Sequence, residues 1–238
     1  MKIAVLFDGA GLARLGLEKA GHDCTGYELD PMKHYLSQFV GSGKSILADV
    51  RTVDLSGYDA VWASPPCQLF SAARTQGKPV SKFADDLLGW SLALPHKILW
   101  VENVKSQTAS ANSWGTVYNA AQFEVHPRQN RNRVIGGRHL APKLHRPYKR
   151  VYPNVCPAIL ATEYKGGAKD GRRASRFYGR RLTLDECAYH QGFEIPAQWL
   201  SKPADFVGTQ AAWNRNLYEA IGNGVPVYMS QAFGAMYD

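Results

Sequence analysis

Cysteines and long apolar runs are scarce in this chain. No CxxC pair and no metal-ligand spacing occurs among the four cysteines, Cys24, Cys67, Cys156 and Cys187. Neither a zinc site nor a disulfide framework is therefore expected. No segment approaches the roughly 18 apolar residues that a membrane span requires, and Asp8 and Gly9 interrupt the apolar N-terminal run before it reaches signal-peptide length. We expect a protein without a metal or membrane partner, in a reducing, cytoplasmic compartment.

Acidic residues are almost absent from residues 128–181, which hold 15 Lys and Arg against Glu163 and Asp170. The whole chain carries a formal charge of +8 over 238 residues, so this segment, at +13, leaves −5 for the rest. An acidic body with one basic segment is typical of a catalytic domain with a polyanion-binding face. A solvated basic loop would give the same charge pattern.

Short apolar runs alternate with amphipathic stretches over the first 110 residues. The pattern predicts strands at residues 2–7, 23–28, 58–63 and 97–101, and helices at 12–20 and 31–39. This rhythm predicts an α/β fold, a doubly wound and mostly parallel sheet with helices on both faces. Periodicity fades after residue 137, and helical patterning returns at residues 214–237.

Glycines and carboxylates follow the first three predicted strands. In Phe7-Asp8-Gly9-Ala10-Gly11 the glycines let a ligand approach the backbone beside a helix N-terminus, which favours a carboxylate. Glu28 ends the second strand, where a carboxylate can bind two ribose hydroxyls. Asp49 follows the third and could accept a hydrogen bond from an adenine amino group. Together these loops predict a nucleoside pocket at the carboxyl ends of the strands.

The sharpest signal is Cys67, which follows Pro65-Pro66 where a predicted strand ends. A free cysteine is more often a small buried hydrophobe than a catalyst, but two prolines fix the backbone before it, which suits a nucleophile. Downstream, Glu102-Asn103-Val104 puts an acid at a strand end. In Gln129-x-Arg131-x-Arg133 the alternating side chains share one face of an extended segment.

Taken in order, these stretches resemble the S-adenosylmethionine-dependent cytosine-5 DNA methyltransferase family over nearly the whole chain. The matching stretches are the glycine turn at 7–12, Glu28, Asp49, Pro66-Cys67-Gln68, Glu102-Asn103-Val104, Gln129-x-Arg131-x-Arg133, Arg181-Leu182-Thr183 with Glu186, Gln191-Gly192-Phe193 and Gly222-Asn223-Gly224-Val225. The departures are Asp8 and Leu12, where small residues or glycine are usual, and Leu29, where an aromatic side chain often packs on adenine. The resemblance implies a Rossmann-like class I methyltransferase fold.

The resemblance also implies roles. Cys67 is the expected nucleophile at carbon 6 of a flipped-out cytosine, Glu102 binds N3 and the amine, and Arg133, with Arg131, binds O2 and helps hold the thiolate. The residues expected to bind S-adenosylmethionine are Phe7, Gly9, Gly11, Leu12, Glu28, Leu29, Asp49, Val50, Pro66, Asn223 and Val225.

Double-stranded DNA is the expected partner, with Gln68, Ser71, Arg74, Lys78, Arg172, Arg173 and Arg176 as contacts. Residues 70–88 are expected to form a loop that closes over the flipped base. The implied organisation is a catalytic domain (1–136), a small basic target-recognition region (137–180) and a return to the catalytic domain (181–238). Part of that region, residues 156–162, is predicted as a strand, which leaves little chain for reading bases and predicts a short or degenerate target.

Three possibilities stay open. A tRNA-modifying branch of the same family shares the catalytic residues, but it typically carries Cys-Phe-Thr soon after Glu-Asn-Val, where this chain has Lys105-Ser106-Gln107. A catalytically silent DNA-binding relative would be expected to lose Cys67 or Glu102. A restriction endonuclease partner, in a bacterial or phage setting, is compatible with the resemblance.

Overall fold

A single seven-stranded sheet organises the part of the chain that the computed structural model describes, residues 1–66, 82–105, 112–126, 128–165 and 174–237, with no side-chain description at 82–86 and 175–176. The strands are β1 (Lys2–Leu6), β2 (Asp23–Glu28), β3 (Ser45–Leu47), β4 (Ala60–Ala63), β5 (Ile98–Val104), β6 (Gly115–Asn119) and β7 (Asn132–Arg138). The α-helices are α1 (Leu12–Lys19), α2 (Pro31–Ser37), α3 (Lys82–Ala93), α4 (Ala174–Phe177), α5 (Leu184–Gln191), α6 (Gln210–Asn223) and α7 (Val227–Gly234).

The strand order is β3-β2-β1-β4-β5-β7-β6. The first five strands pair in parallel, whereas β7 runs antiparallel to both β5 and β6. Helices α1, α2 and α3 lie between β1 and β2, β2 and β3, and β4 and β5, whereas only a 3₁₀ turn lies between β3 and β4. Helix α1 packs on one face of the sheet and α3 on the other. The prediction of a doubly wound, mostly parallel α/β sheet is confirmed.

Both faces of the central strands are buried. Ile3 and Val5 of β1 face a cluster with Trp62 and Trp100, onto which α1 and α7 pack. Their neighbours in the sequence, Ala4 and Leu6, face the opposite cluster. This alternation follows from the two-residue period of a strand. Every residue of β4 is buried, so β4 lies at the centre of the sheet.

Glycine allows α7 to pack closely on α1. A Cβ at Gly16 would lie 2.2 Å from the Val227 carbonyl oxygen and 2.0 Å from the Ser230 hydroxyl. The C-terminal helix therefore returns to the N-terminal half of the fold.

Two of the local predictions are wrong. Residues 82–93 form a helix rather than the end of a loop, because Leu87 and Leu88 provide an apolar face that is buried under the sheet. Residues 156–162 form no strand. They make one isolated bridge, between Asn130 and Pro157, and then turn.

Within the described residues, no helix is long and apolar enough to cross a membrane, and no group of three or more His, Cys, Asp and Glu could hold a metal ion. The division at residues 136 and 180 stays a prediction.

Candidate active site

The carboxyl ends of the parallel strands bring the predicted residues to one edge of the sheet. Phe7 follows β1, Glu28 ends β2, Ser64-Pro65-Pro66 follows β4, and Glu102 lies near the end of β5. In open α/β sheets, ligands bind outside this edge, where neighbouring connections diverge. Strand order therefore assembles residues that are far apart in the sequence.

The glycine turn is tied to Glu28. The Gly9 amide donates to one oxygen of the Glu28 carboxylate at 2.8 Å, and the amides of Leu29 and Asp30 donate to the other at 3.0 and 2.9 Å. Phe7 has a φ of 57° and Gly9 of 60°, so the backbone turns sharply away from β1. A carboxylate held by three amides has one fixed orientation, with one lone pair of Oε2 left for a further donor.

The N-terminus of α1 opens onto this turn. Its N-cap residue is Gly11, with a φ of 85°, and no side chain caps the first turn of the helix. Amide groups in a first helical turn have no intrahelical partner and favour a negatively charged group. The buried Leu12 closes the wall beside them and packs against Gly224, where a Cβ would lie 2.5 Å from Leu12 Cδ1.

Other residues expected at the cofactor site differ in their surroundings. Leu29 is 61% exposed, so its side chain is free to cover a flat ligand. Asp49 caps a short 3₁₀ turn and pairs with Arg51, whose guanidinium holds the pKa of Asp49 at about 2. Val50 and Val225 are buried and support the walls, whereas Asn223 and Pro66 are exposed. A hydrogen bond from Asp49 to adenine stays a prediction.

The approach to Cys67 is fixed from β5. Asn103 is 2% exposed, and its side-chain amide donates to the Pro65 carbonyl at 3.0 Å while its oxygen accepts from the Val104 amide at 2.8 Å. Two prolines and this bond leave the backbone before Cys67 little freedom. The sequence-based predictions assign no role to Asn103. Its position directly after Glu102 is the only feature of the sequence that could have suggested one.

Glu102 and Arg133 form a buried ion pair. Arg133 Nε lies 2.7 Å from Glu102 Oε1, and the side chains of Arg133 and Glu102 are 10% and 8% exposed, respectively. Glu102 is paired in register with Ile135, two residues from Arg133, so both side chains leave the same face of the sheet as diagonal neighbours. The pair presents an acceptor and a cation side by side at the edge where Pro65 and Pro66 emerge.

Arg131 has other partners. Its guanidinium donates to the carbonyls of Ile159, Gly222 and Gly224 at 2.5, 2.6 and 3.0 Å, and the residue is 2% exposed. These contacts join the strand-like segment before β7 to the Gly222-Asn223-Gly224 break after α6. A contact of Arg131 with a cytosine stays a prediction, because its described contacts are structural.

Gln129 is a second connector. Its amide nitrogen donates to the His190 carbonyl and to the Gln191 side chain, and its oxygen accepts from the Ile159 amide. Gln129 belongs to a predicted motif, but no function was predicted for it. Its alternation with Arg131 and Arg133 is the only feature of the sequence that points to this connecting role.

The remaining assignments lie outside the described residues. These are Cys67, Gln68, Ser71, Arg74, Lys78, Arg172 and Arg173, together with the side chain of Arg176. Their roles stay predictions.

Comparisons with known proteins agree with this geometry. Residues 1–106 match the family model of C-5 cytosine-specific DNA methylase. No curated protein sequence matches the chain.

Solved structures of similar fold span the whole chain at low sequence identity. The S. pombe Dnmt2 methyltransferase is 14% identical, with a TM-score of 0.62 and coverage of 98% of this chain and 97% of its own. A prophage-encoded E. coli protein, described as a DNA modification methyltransferase, is 15% identical, with a TM-score of 0.63 and coverage of 100% and 98%. Entamoeba histolytica EhMeth is 13% identical, with a TM-score of 0.59 and coverage of 98% and 96%.

These three structures share the fold, and the family match covers the strands that carry the glycine turn, Glu28 and Glu102. Over residues 1–106 the chain is similar to the C-5 cytosine-specific DNA methylase family.

Proposed function

We propose that the protein transfers a methyl group from S-adenosylmethionine to carbon 5 of cytosine in double-stranded DNA, with Cys67 as covalent nucleophile. The observation that carries the proposal is the buried ion pair of Glu102 and Arg133, whose nearest charged atoms are 2.7 Å apart. This pair lies at the edge of the sheet where Pro65 and Pro66, the two residues before Cys67, leave β4. A carboxylate and a guanidinium fixed together suit a ring that has donor and acceptor groups side by side.

The described residues fit S-adenosylmethionine as methyl donor. The uncapped amides of α1 suit its carboxylate, and a Cβ at Gly9 would meet only the Phe7 carbonyl oxygen, at 4.0 Å, so a ligand can approach the turn. Glu28, held by three amides, suits the ribose hydroxyls. When bound, the sulfonium supplies an electrophilic methyl group.

Cytosine carbon 5 is a poor nucleophile, so the ring must be activated first. The Cys67 thiolate would add to carbon 6, forming a C–S bond and moving an electron pair to carbon 5. Glu102 would share a proton with N3 and accept from the exocyclic amine, and Arg133 would donate to O2, as negative charge enters the ring. After carbon 5 takes the methyl group, a base removes its proton and the C–S bond breaks.

A duplex substrate requires base flipping, since a stacked cytosine hides carbon 6. Exposed basic residues, among them Lys143, Lys149 and Arg150, support a polyanionic partner. DNA is favoured over tRNA because residues 105–107 lack the Cys-Phe-Thr stretch. The proposal includes a short target sequence, in which residues 137–180 read about two to three base pairs.

A cytoplasmic setting, of bacterial or phage origin, and a companion restriction endonuclease belong to the proposal as well. The prophage origin of one structure of similar fold supports the setting. A silent DNA-binding role is disfavoured because Cys67 and Glu102 are both retained.

Methyl transfer can be tested with labelled S-adenosylmethionine and equal masses of plasmid DNA and bulk tRNA, digested to nucleosides for mass spectrometry. We expect 5-methyl-2′-deoxycytidine from the DNA. If labelled 5-methylcytidine appeared only in the tRNA, the substrate would be RNA rather than DNA. If neither nucleic acid contained labelled methylcytosine, the proposed activity would be refuted. Bisulfite sequencing of the same plasmid gives the target, and a single motif of five or more fixed bases would contradict the short one.

A further inference from the structure

A buried ion pair lies directly behind the glycine turn. Arg14 Nε is 3.2 Å from Asp8 Oδ2, and both side chains are fully buried. Charged side chains are rarely buried to this extent, and a buried pair is weak evidence of stability because desolvation offsets its attraction. The second Asp8 oxygen, Oδ1, is buried without a hydrogen-bond partner in the described part of the chain.

Arg14 joins α1 to the end of α2. Its guanidinium donates to the Ser37 carbonyl at 2.7 Å and to the Val40 carbonyl at 3.1 Å, and it also pairs with Glu18 at 3.1 Å. The Ser37 hydroxyl donates in turn to Asp8 Oδ2. The second residue after β1 is thereby held to the helix that follows β2.

The same turn is held from its other side by Glu28. The Gly9 amide binds Glu28, and the Asp8 amide donates to the Tyr27 carbonyl at 3.0 Å. Asp30, two residues after Glu28, caps the start of α2, whose last residue is Ser37. The loops after β1 and β2 are therefore linked at the front through Glu28 and at the back through Asp8, Arg14 and Ser37.

Glycine makes room for the pair on two sides. A Cβ at Gly26 of β2 would lie 2.2 Å from Asp8 Oδ2, and one at Gly11 would lie 2.8 Å from Arg14 Nη2. Gly26 is extended strand backbone, where glycine weakens a strand and often marks a close approach. The chain thus makes room for two buried charges at this place. A small uncharged residue at position 8 would need neither the arginine partner nor the two glycines.

We propose that Asp8 and Arg14 are a positioning pair for the methyl donor: they set the relative placement of the glycine turn and Glu28, and so the affinity for S-adenosylmethionine. The proposal rests on the proposed function above. Both side chains are fully buried behind the glycine turn. Both act through Gly9 and Glu28.

The test replaces both members, since removing one leaves an unpaired buried charge that destabilises the protein. In the full chain, Asp8→Ala with Arg14→Met should fold and unfold within about 5 °C of the wild-type midpoint. Its Kd for S-adenosylhomocysteine, measured by calorimetry, should rise about tenfold because the two loops are no longer held in register. The KM for S-adenosylmethionine should rise with it, while kcat at saturation stays within about twofold.

The matched control neutralises the exposed pair of Asp23 and Lys44 at the start of β2. Asp23→Asn with Lys44→Met should change neither the midpoint nor the Kd. A folded Asp8/Arg14 paired variant with wild-type Kd overturns the positioning role and leaves the proposed function intact. A wild-type protein that binds neither ligand refutes the proposed function, and this proposal with it.

If the paired variant does not fold, Ser37→Ala decides, because it removes only the hydroxyl that binds Asp8. A Kd raised about threefold or more supports the proposal. An unchanged Kd overturns it.

Discussion

At the scale of single residues, the site depends on how two charges are kept out of water. Glu102 and Arg133 are both nearly buried, yet they lie at the end of a sheet rather than inside it. In the proposed mechanism, a low-dielectric setting would strengthen their hold on the cytosine ring, provided that each charge has its partner. Because Glu102 and Arg133 are diagonal neighbours on β5 and β7, each charge finds its partner within the sheet, and no loop residue is needed to supply it.

Glu102→Gln should therefore lower kcat by about 10²–10³, because glutamine cannot share a proton with N3 of the activated ring. The KM for S-adenosylmethionine should stay close to that of the wild type, since Glu102 lies away from the glycine turn. Steady-state kinetics with saturating DNA measure both constants.

Glu124→Gln is the matched control. Glu124 also pairs with an arginine, Arg128, at 3.2 Å, in a segment that contributes nothing to the proposed site. We expect its kcat to be unchanged. A Glu102→Gln enzyme with kcat within about threefold of the control would contradict the role of Glu102.

Arg131 shows what a sequence motif cannot supply. Its alternation with Arg133 predicts a shared face and a shared task. Two of the carbonyls that it binds belong to Gly222 and Gly224, some 90 residues further along the chain. Local spacing holds no information about such distant acceptors, so the motif identified the residue but not its contacts.

At the scale of elements, α5 connects the motifs to one another. Its last residues supply the His190 carbonyl and the Gln191 side chain to Gln129, and Gln191 also donates to the Ile221 carbonyl at 2.5 Å. The helix begins with a capping box in which Thr183 and Glu186 bind each other's backbone amides. The contact between Gln129 and the end of α6 therefore depends on a well-formed α5.

Thr183→Ala should lower the free energy of unfolding by about 1 kcal/mol, because it leaves the amide of Glu186 without its cap. Denaturant unfolding measures this. Ser201→Ala, at an exposed position outside any helix or strand, should stay within about 0.5 kcal/mol of the wild type. Equal losses in both variants would argue against the cap.

The same cap gives a pH dependence. Hydrogen bonds from Arg180 and from the Thr183 amide lower the pKa of Glu186 from 4.5 to about 2. A depressed carboxyl pKa stabilises the fold above the unfolded pKa, so this contribution is complete above pH 4.5 and is lost as the pH falls to about 2. Because Glu186 is partly exposed, the effect is less than about 1 kcal/mol. Glu186→Gln should remove that part of the acid sensitivity, which denaturant unfolding at a series of pH values measures.

The elements also show where sequence patterns succeed. Strands β1 and β2 and the starts of α1 and α2 match the prediction, because apolar runs, Pro31 and the glycine turn are local signals. Residues 156–162 were predicted as a strand from their apolar content. In the structure, side chains satisfy that backbone instead: Gln129 accepts from the Ile159 amide and Arg131 donates to its carbonyl. A buried segment needs hydrogen bonds but not a strand partner.

At the scale of the whole molecule, the basic segment is less uniform than its charge implies. Arg131 and Arg133 are buried in internal contacts, and Arg138 donates to carbonyls at the end of α3 and before β5. Lys149 and Arg150 are exposed, and their carbonyls are held by Asn119 at the end of β6. Because β6 ends at the same edge of the sheet as β5, these two residues lie at the edge that carries the candidate active site.

Lys149→Gln with Arg150→Gln should flatten the salt dependence of duplex DNA binding, by about 0.9 in the logarithmic slope for each phosphate that is no longer neutralised. Fluorescence anisotropy over a range of salt concentrations measures the slope. Lys2→Gln with Lys19→Gln removes the same charge near the amino ends of the strands and should leave the slope unchanged. Equal flattening by both pairs would mean that net charge, rather than this surface, governs binding.

The most direct test of the central claim is covalent trapping. Duplex DNA in which every cytosine is 5-fluorocytosine is incubated with the protein and S-adenosylmethionine, and the products are separated under denaturing conditions and weighed as intact complexes. Fluorine cannot leave as a proton does, so the C–S bond should persist. We predict a protein–DNA adduct that includes one transferred methyl group, forms with the wild type and is absent with Cys67→Ala. An adduct that still forms with Cys67→Ala, or a wild-type enzyme that methylates cytosine in ordinary DNA but is never trapped, would contradict covalent catalysis by Cys67.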